Sequence, residues 1–211
     1  MALVADSLVG VVAGAIDLWY ANLVERVLAD ADSVSEAETN TGDLVYGLSG
    51  ILETVTYLVA IVAFLTWLFR VRANAETLSP HGHRRSRVWV ILGWIVPIVS
   101  LWFPKQIVDD VWDASNRDPS PPKGLFHAWW AAWLVGAWVS NIASRVLFNA
   151  EEPAELVTAA RFDLVSIVLM LVAAVLAILV VRRISDAQEA RLAEAAGAFP
   201  HSPAPTGYPW A

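Results

Sequence analysis

The 211-residue chain contains no cysteine. Disulfides, thiolate nucleophiles and cysteine-ligated metals are therefore excluded, and no disulfide marks the compartment. Charge is scarce too: 17% of residues are Asp, Glu, Lys or Arg, against roughly 25% in soluble domains. The N-terminal stretch MALVADSLVGVV lacks a basic n-region and carries Asp6 where a signal peptide would be apolar, so it is expected to stay as a helix. No nucleic-acid signature is present, because the one dense basic cluster, Arg84-Arg85-Ser86-Arg87, abuts an apolar segment instead of lining a soluble domain. His81 and His83, with neither a carboxylate nor a third His beside them, make a poor metal site. No metal and no cofactor is expected.

What remains is apolar. Hydrophobic residues make up 57% of the chain, and the mean hydropathy is +0.53. A helix needs roughly 20 apolar residues to cross about 30 Å of hydrocarbon. Residues 44–69, 125–148 and 162–181 meet that length, and residues 3–23 form a weaker fourth run interrupted by Asp6 and Asp17. The expected fold is all-α: an integral membrane bundle over residues 1–183, with four transmembrane helices and a Pro-broken hairpin over 88–115. A cytoplasmic helix extension is expected over 184–198, and a disordered Pro-rich tail over 199–211.

The hairpin decides the topology. Lys and Arg concentrate on the cytoplasmic side of membrane proteins, while Asp and Glu weigh little. If residues 88–115 enter and leave on one side, eleven basic residues lie inside: Arg70, Arg72, Arg84, Arg85, Arg87, Lys105, Arg117, Lys123, Arg182, Arg183 and Arg191. Arg26, Arg145 and Arg161 lie outside. If 88–104 spans, the bias vanishes. The first arrangement is expected, in the plasma membrane, with both termini cytoplasmic. Length agrees: 88–103 would extend only ~24 Å as a helix. Pro97 breaks the run and Pro104 suits a new helix start. After it, Ile107, Val108, Val111 and Trp112 share one face, with Gln106, Asp109, Asp110 and Asp113 largely opposite. That pattern predicts a helix lying in the interface, apolar face down. A deeply re-entrant hairpin would instead need Pro97 covered at the centre of the bundle. Elsewhere, residues 29–43 read as an acidic external loop, 116–123 as a Pro-rich turn, and Glu151-Glu152-Pro153 as a second external turn.

Three stretches carry a family pattern: FLTWLFRVRANAETL (64–78), HRRSRVWVILGWIVPIVSLWFPKQIVDDVWDAS (83–115) and HAWWAAWL (127–134). Together they resemble the bacterial membrane family called domain of unknown function 4328, over roughly residues 44–181. The resemblance implies a multi-pass membrane protein and no particular chemistry. The family pattern often has Asn where this chain has Ser100, which weakens a role for an amide there. Relatives carry a longer polar N-terminal region, so the resemblance also implies that Met1 is a late start.

Several residues invite a functional reading. Arg84, Arg85 and Arg87 would face anionic headgroups, each contributing about 1 kcal/mol near such a surface, as a topology anchor or a lipid or partner contact. Asp17, Glu53 and Asp163 fall inside apolar runs, where ionisable groups are costly unless they reach headgroup water or serve a function. Ala132, Gly136, Ser140 and Ser144 recur every four residues, as do Gly10 and Gly14, and such stripes let helices or a second copy pack closely. Trp129 and Trp130 suit an interfacial belt, with Trp133 and Trp138 deeper. The sequence Gly47-Leu48-Ser49-Gly50 resembles the G-x-S-G of rhomboid proteases, but the favoured topology puts Ser49 and His127 a bilayer apart. With no catalytic constellation, the expected role is a membrane scaffold or partner-binding subunit, in contact with lipid and open to homo-oligomerisation. The alternative is a small-solute or ion transporter or channel acting as an oligomer, built around Asp17, Glu53, Pro97, Ser100 and the broken hairpin.

Overall fold

The computed structural model describes residues 1–149 and 153–197. Its regular elements there are helices: α1 (Ala2–Ala29), α2 (Glu36–Leu78), α3 (Trp89–Ile95), α4 (Phe103–Ala114), α5 (Gly124–Phe148) and α6 (Pro153–Gly197). Glu151 and Glu152 of the expected second external turn and the expected tail over 199–211 lie outside the described residues, while Pro153 begins α6.

The acidic segment read as a loop is mostly helix. Ser35 takes the N-cap position and its Oγ accepts from the Glu38 backbone N–H at 3.1 Å. That satisfies one of the orphan donors of the first turn, and Glu36 and Glu38 complement the positive end of the helix dipole. Residue 36 therefore begins a helix of 43 residues. Arg26 pairs with Glu38 at 2.5 Å, the Tyr20 hydroxyl donates to Asp43 at 2.7 Å, and Tyr20 stacks on Tyr46. These contacts fold α1 and α2 into an antiparallel pair whose far end is polar.

Three helices are long and apolar enough to cross a membrane: α1, α2 and the 161–194 part of α6. The expected fourth, α5, has the length at 25 residues but is not among those three, its apolar run being interrupted by His127, Asn141 and Arg145. At about 1.5 Å per residue, α2 and α6 are roughly twice as long as hydrocarbon is thick. Both must project beyond it. Outward faces carry exposed Leu48, Leu52, Val59, Val168, Val172 and Val175, which suits lipid better than water.

The buried core sits at one end, where α2 and α6 project. Ile107, Val108 and Val111 of α4 are fully buried among Leu68 and Val71 of α2, Phe126 of α5 and Val180 and Ile184 of α6. Leu3 of α1 packs against the same cluster. Further from this hairpin end, α5 runs against α6 and α1 touches α6.

The hairpin itself is α3, a tight tip and α4. Its tip is a three-residue turn in which the Val99 N–H donates to the Pro97 carbonyl at 2.7 Å and Ile98 takes φ 66. A β-branched residue in that region is strained. Gly93 lets the two arms close up, since a Cβ there would sit 3.3 Å from the Phe103 Cβ. Pro97 is exposed at the tip, without the cover that a deeply re-entrant hairpin would need. Contrary to expectation, α4 does not lie with a wet polar face, for Lys105, Asp109 and Asp110 are buried along with its apolar residues. The reason is that each carboxylate meets a cation, as described next.

Candidate functional site

The polar groups that the apolar pattern left over converge on the hairpin end. Asp110 accepts from the Arg84 backbone N–H at 2.9 Å and from its Nε at 2.7 Å. Asp109 holds Lys105 Nζ one helical turn away at 2.5 and 2.6 Å. Asp113 takes Lys123 at 2.6 Å. Burying an unpaired carboxylate is prohibitive, and a paired one in a hydrogen-bonded setting is tolerated. Arg85 donates to the Gln106 side chain at 3.0 Å and lies over the Phe103 ring at 3.7 Å. The 84–87 segment is thereby clamped to α4.

It is clamped to α2 as well. Glu76, beyond the apolar 44–69 run, receives Arg87 through both Nε and Nη2, and Arg72 Nε at 2.9 Å. The Arg87 hydrogen bond, reinforced by Arg72, holds the Glu76 carboxyl below the ordinary glutamate value. Arg72, 2% exposed, also donates through Nη2 to the Arg85 carbonyl at 2.7 Å. Between these groups lies an open depression of about 480 Å³, lined by Arg72, Glu76, Pro80, His83, Arg84, Arg85 and Ser86. Gly82, at φ 102, supplies the conformation that lets the loop turn over it.

On the inner side, one amide ties three helices. Gln188 of α6, 2% exposed, donates to the Val71 carbonyl at 2.8 Å and to Ser115 Oγ at 3.0 Å, and accepts from Asn74 at 3.1 Å. Trp67 donates to Ser185 at 3.1 Å, and Arg191 to the Asn116 carbonyl at 2.9 Å. The tryptophans gather here too. Trp94 of α3 meets Phe64, Trp130 and Trp133 edge-on, with centroids 5.6–5.9 Å apart, and Trp130 donates to the Leu101 carbonyl at 3.0 Å. Trp138 stands apart, 64% exposed.

The remaining candidates lie elsewhere. Asp17 is half-buried on α1 and Glu53 exposed on α2. Both lie within electrostatic reach of Asp163 on α6, and Glu53 within reach of Asp6. Among the described residues none of the four forms an ion pair with Lys or Arg. Ser100 is half-buried near the hairpin tip, and Pro104 is buried in the first turn of α4. Gly136 faces α6, where a Cβ would come within 3.0 Å of Met170 Sδ, with half-buried Ala132 and Ser140 on either side. Gly14 faces Ile167, and Gly10 faces open space. Ser49 spends its hydroxyl on the Tyr46 carbonyl at 2.9 Å. It is also about 22 Å along α2 from Phe64, the residue level with Trp129 and hence His127.

Comparison with known families gives one result: residues 30–186 match the family described as Domain of unknown function (DUF4328). The chain belongs to that family. The DUF4328 match takes in α2 through α5 and most of α6, and so every hairpin-end residue named above except Leu3, Gln188 and Arg191. No curated protein and no solved structure matches the chain.

Residue type and local spacing drew attention to Arg84, Arg85, Arg87, Asp109 and Asp110, but not to Arg72, Glu76 or Gln188. A signal for the last three was available: each is a polar residue one or two turns past the end of an apolar run, on a face that the run keeps buried.

Proposed function

We propose that this DUF4328 protein is a multi-pass membrane scaffold or partner-binding subunit with four spans, α1, α2, α5 and α6. In this reading α3–α4 dips into the cytoplasmic leaflet and returns, and both termini are cytoplasmic. The observation that carries it is the paired, buried state of α4. A helix with every carboxylate matched to a cation and wedged among four others is a fixed cap on the bundle. The gathering of Arg72, Arg84, Arg85, Arg87, Lys105, Lys123 and Arg191 at this end supports a cytoplasmic placement.

The absence of native cysteine makes the test direct. Asp32 and Ser120 are exposed at opposite ends of the bundle, and neither side chain caps a helix as Ser35 does. Single Asp32→Cys and Ser120→Cys variants are treated with a membrane-impermeant maleimide in intact cells. Labelling at 32 and not at 120 is expected. Labelling at both would mean that α3–α4 crosses the membrane. In-membrane crosslinking that recovered neither a partner nor an oligomer would defeat the scaffold role.

The second reading, a transporter or channel, has one observation behind it: Asp6, Asp17, Glu53 and Asp163 of three helices converge without a basic partner among the described residues. Liposomes containing the protein that passed neither protons nor common cations would remove it.

A further inference from the structure

We propose that the depression under residues 79–86 binds a phosphate group, presented as a monoester or as the free ion. Three donors that the fold itself does not use meet there. Arg72 is all but buried and spends Nε on Glu76 and Nη2 on the Arg85 carbonyl, yet its Nη1 has no acceptor. His83 is half-buried, and both of its ring nitrogens are enclosed and without a partner. Arg85 is held by Nε and by the Phe103 ring, which fixes the guanidinium plane while its terminal nitrogens make no hydrogen bond among the described residues.

An enclosed donor with no acceptor is costly, and native interiors rarely keep one without a use. Local charge favours an anion. Arg72, Arg84, Arg85 and Arg87 stand against two carboxylates, Asp110 and Glu76, and Glu76 is the acidic group in the lining. Tetrahedral phosphate offers oxygens to donors from several directions, and guanidinium forks match it in two-point contacts. A depression of about 480 Å³ has room for a phosphate and its substituent. Val88, at the start of α3, and Ile91, Leu92 and Ile95 on it form an exposed apolar face just beyond the depression. A headgroup at a bilayer surface would therefore be in reach. Only that lipid source rests on the membrane placement proposed above, and maleimide labelling tests the placement by a separate readout.

The test uses the full chain purified in a neutral detergent. Calorimetric titrations are run with dioctanoyl phosphatidic acid, with inorganic phosphate, and with dioctanoyl phosphatidylcholine as a masked-phosphate control. Saturable binding of phosphatidic acid is expected. It should weaken at least about tenfold in Arg85→Gln and in His83→Ala, the loss of one charge-assisted hydrogen bond. Arg72→Gln should abolish it. Because Arg72 also ties α2 to the loop and Arg85 ties the loop to α4, His83→Ala, whose ring nitrogens have no partner in the fold, carries the result once its thermal unfolding matches the parent protein's. Binding of phosphatidic acid alone assigns a lipid source, and binding of inorganic phosphate alone a soluble one. Binding of both shows that the phosphate suffices. Any of the three supports the site. The proposal is overturned if neither probe saturates, if phosphatidylcholine binds as well as phosphatidic acid, or if Arg85→Gln and His83→Ala bind like the parent protein.

Discussion

The two ends of the bundle are built on different principles. At the hairpin end, buried apolar side chains from four other helices enclose α4, Gln188, Arg72 and Asp110 are held by directional bonds to other parts of the chain, and Asp109 is held by Lys105 one turn away. At the far end, α1 and α2 run side by side, tied by directional contacts at Tyr20 and Arg26 and packed closely at Gly42, and many apolar side chains point outward. Hydrocarbon supplies no hydrophobic drive between helices, so packing there depends on small residues and scattered polar contacts. Water exclusion around the hairpin end lets a protein build a conventional core. The first end holds groups in fixed positions, whereas the second leaves apolar faces that no other part of the described chain covers.

Substitutions at the two ends should therefore differ most for large aromatic residues. Trp130 is 7% exposed, stacked on Trp133 and bonded to the Leu101 carbonyl. Trp130→Ala should cost roughly 3–5 kcal/mol, as deletion of a buried aromatic does. Trp138→Ala, in the same helix but 64% exposed, should stay within about 0.5 kcal/mol. Thermal unfolding in one detergent checks both, and equal losses would break the contrast.

A smaller effect is expected at Gln188. Replacing it with Leu keeps the volume but removes its three hydrogen bonds, to the Val71 carbonyl, Ser115 and Asn74, for a cost of about 1–3 kcal/mol. A near-neutral Gln188→Leu would mean that apolar packing alone seats α4, and that the polar tie contributes little.

The smallest effect is set by pH at Glu76. Its folded pKa is lowered by Arg87 and Arg72. The stability it contributes is fully present above the ordinary glutamate value of about 4.3 and is lost as pH falls through the lowered folded value. The stability gap between the parent protein and Glu76→Gln, followed by tryptophan fluorescence, should be full at neutral pH and close as pH falls through that acid range. A gap that stayed the same down through the acid range would assign Glu76 a packing role instead.

Much of the far end was legible in the sequence and much of the hairpin end was not. Apolar runs at 44–69, 125–148 and 162–181 are each contained in a helix, because a long apolar stretch has few other ways to satisfy its backbone in hydrocarbon. The acidic segment was misread since its charges suggested a loop, while Ser35 and the two glutamates of the first turn are what a helix start requires. Gly136 faces a neighbouring helix and Gly10 does not, a distinction that spacing alone does not make. The amphipathic pattern of α4 gave the right helix and the wrong surroundings: its acidic face looked made for water, and it is closed over by Arg84, Lys105 and Lys123.

By itself, then, the sequence determined the helices, the break at Pro97 and the segregation of basic residues, all of which depend on neighbours a few positions apart. Only the tertiary structure decided that α4 is interior, that Gln188 joins α6 to Val71 across 117 residues of chain, and that Arg72 and His83 share one depression. The physical reason is range. Helix formation and chain breaks are local, whereas the partner that makes a buried charge tolerable, or leaves a donor free, is chosen by folding from anywhere in the chain.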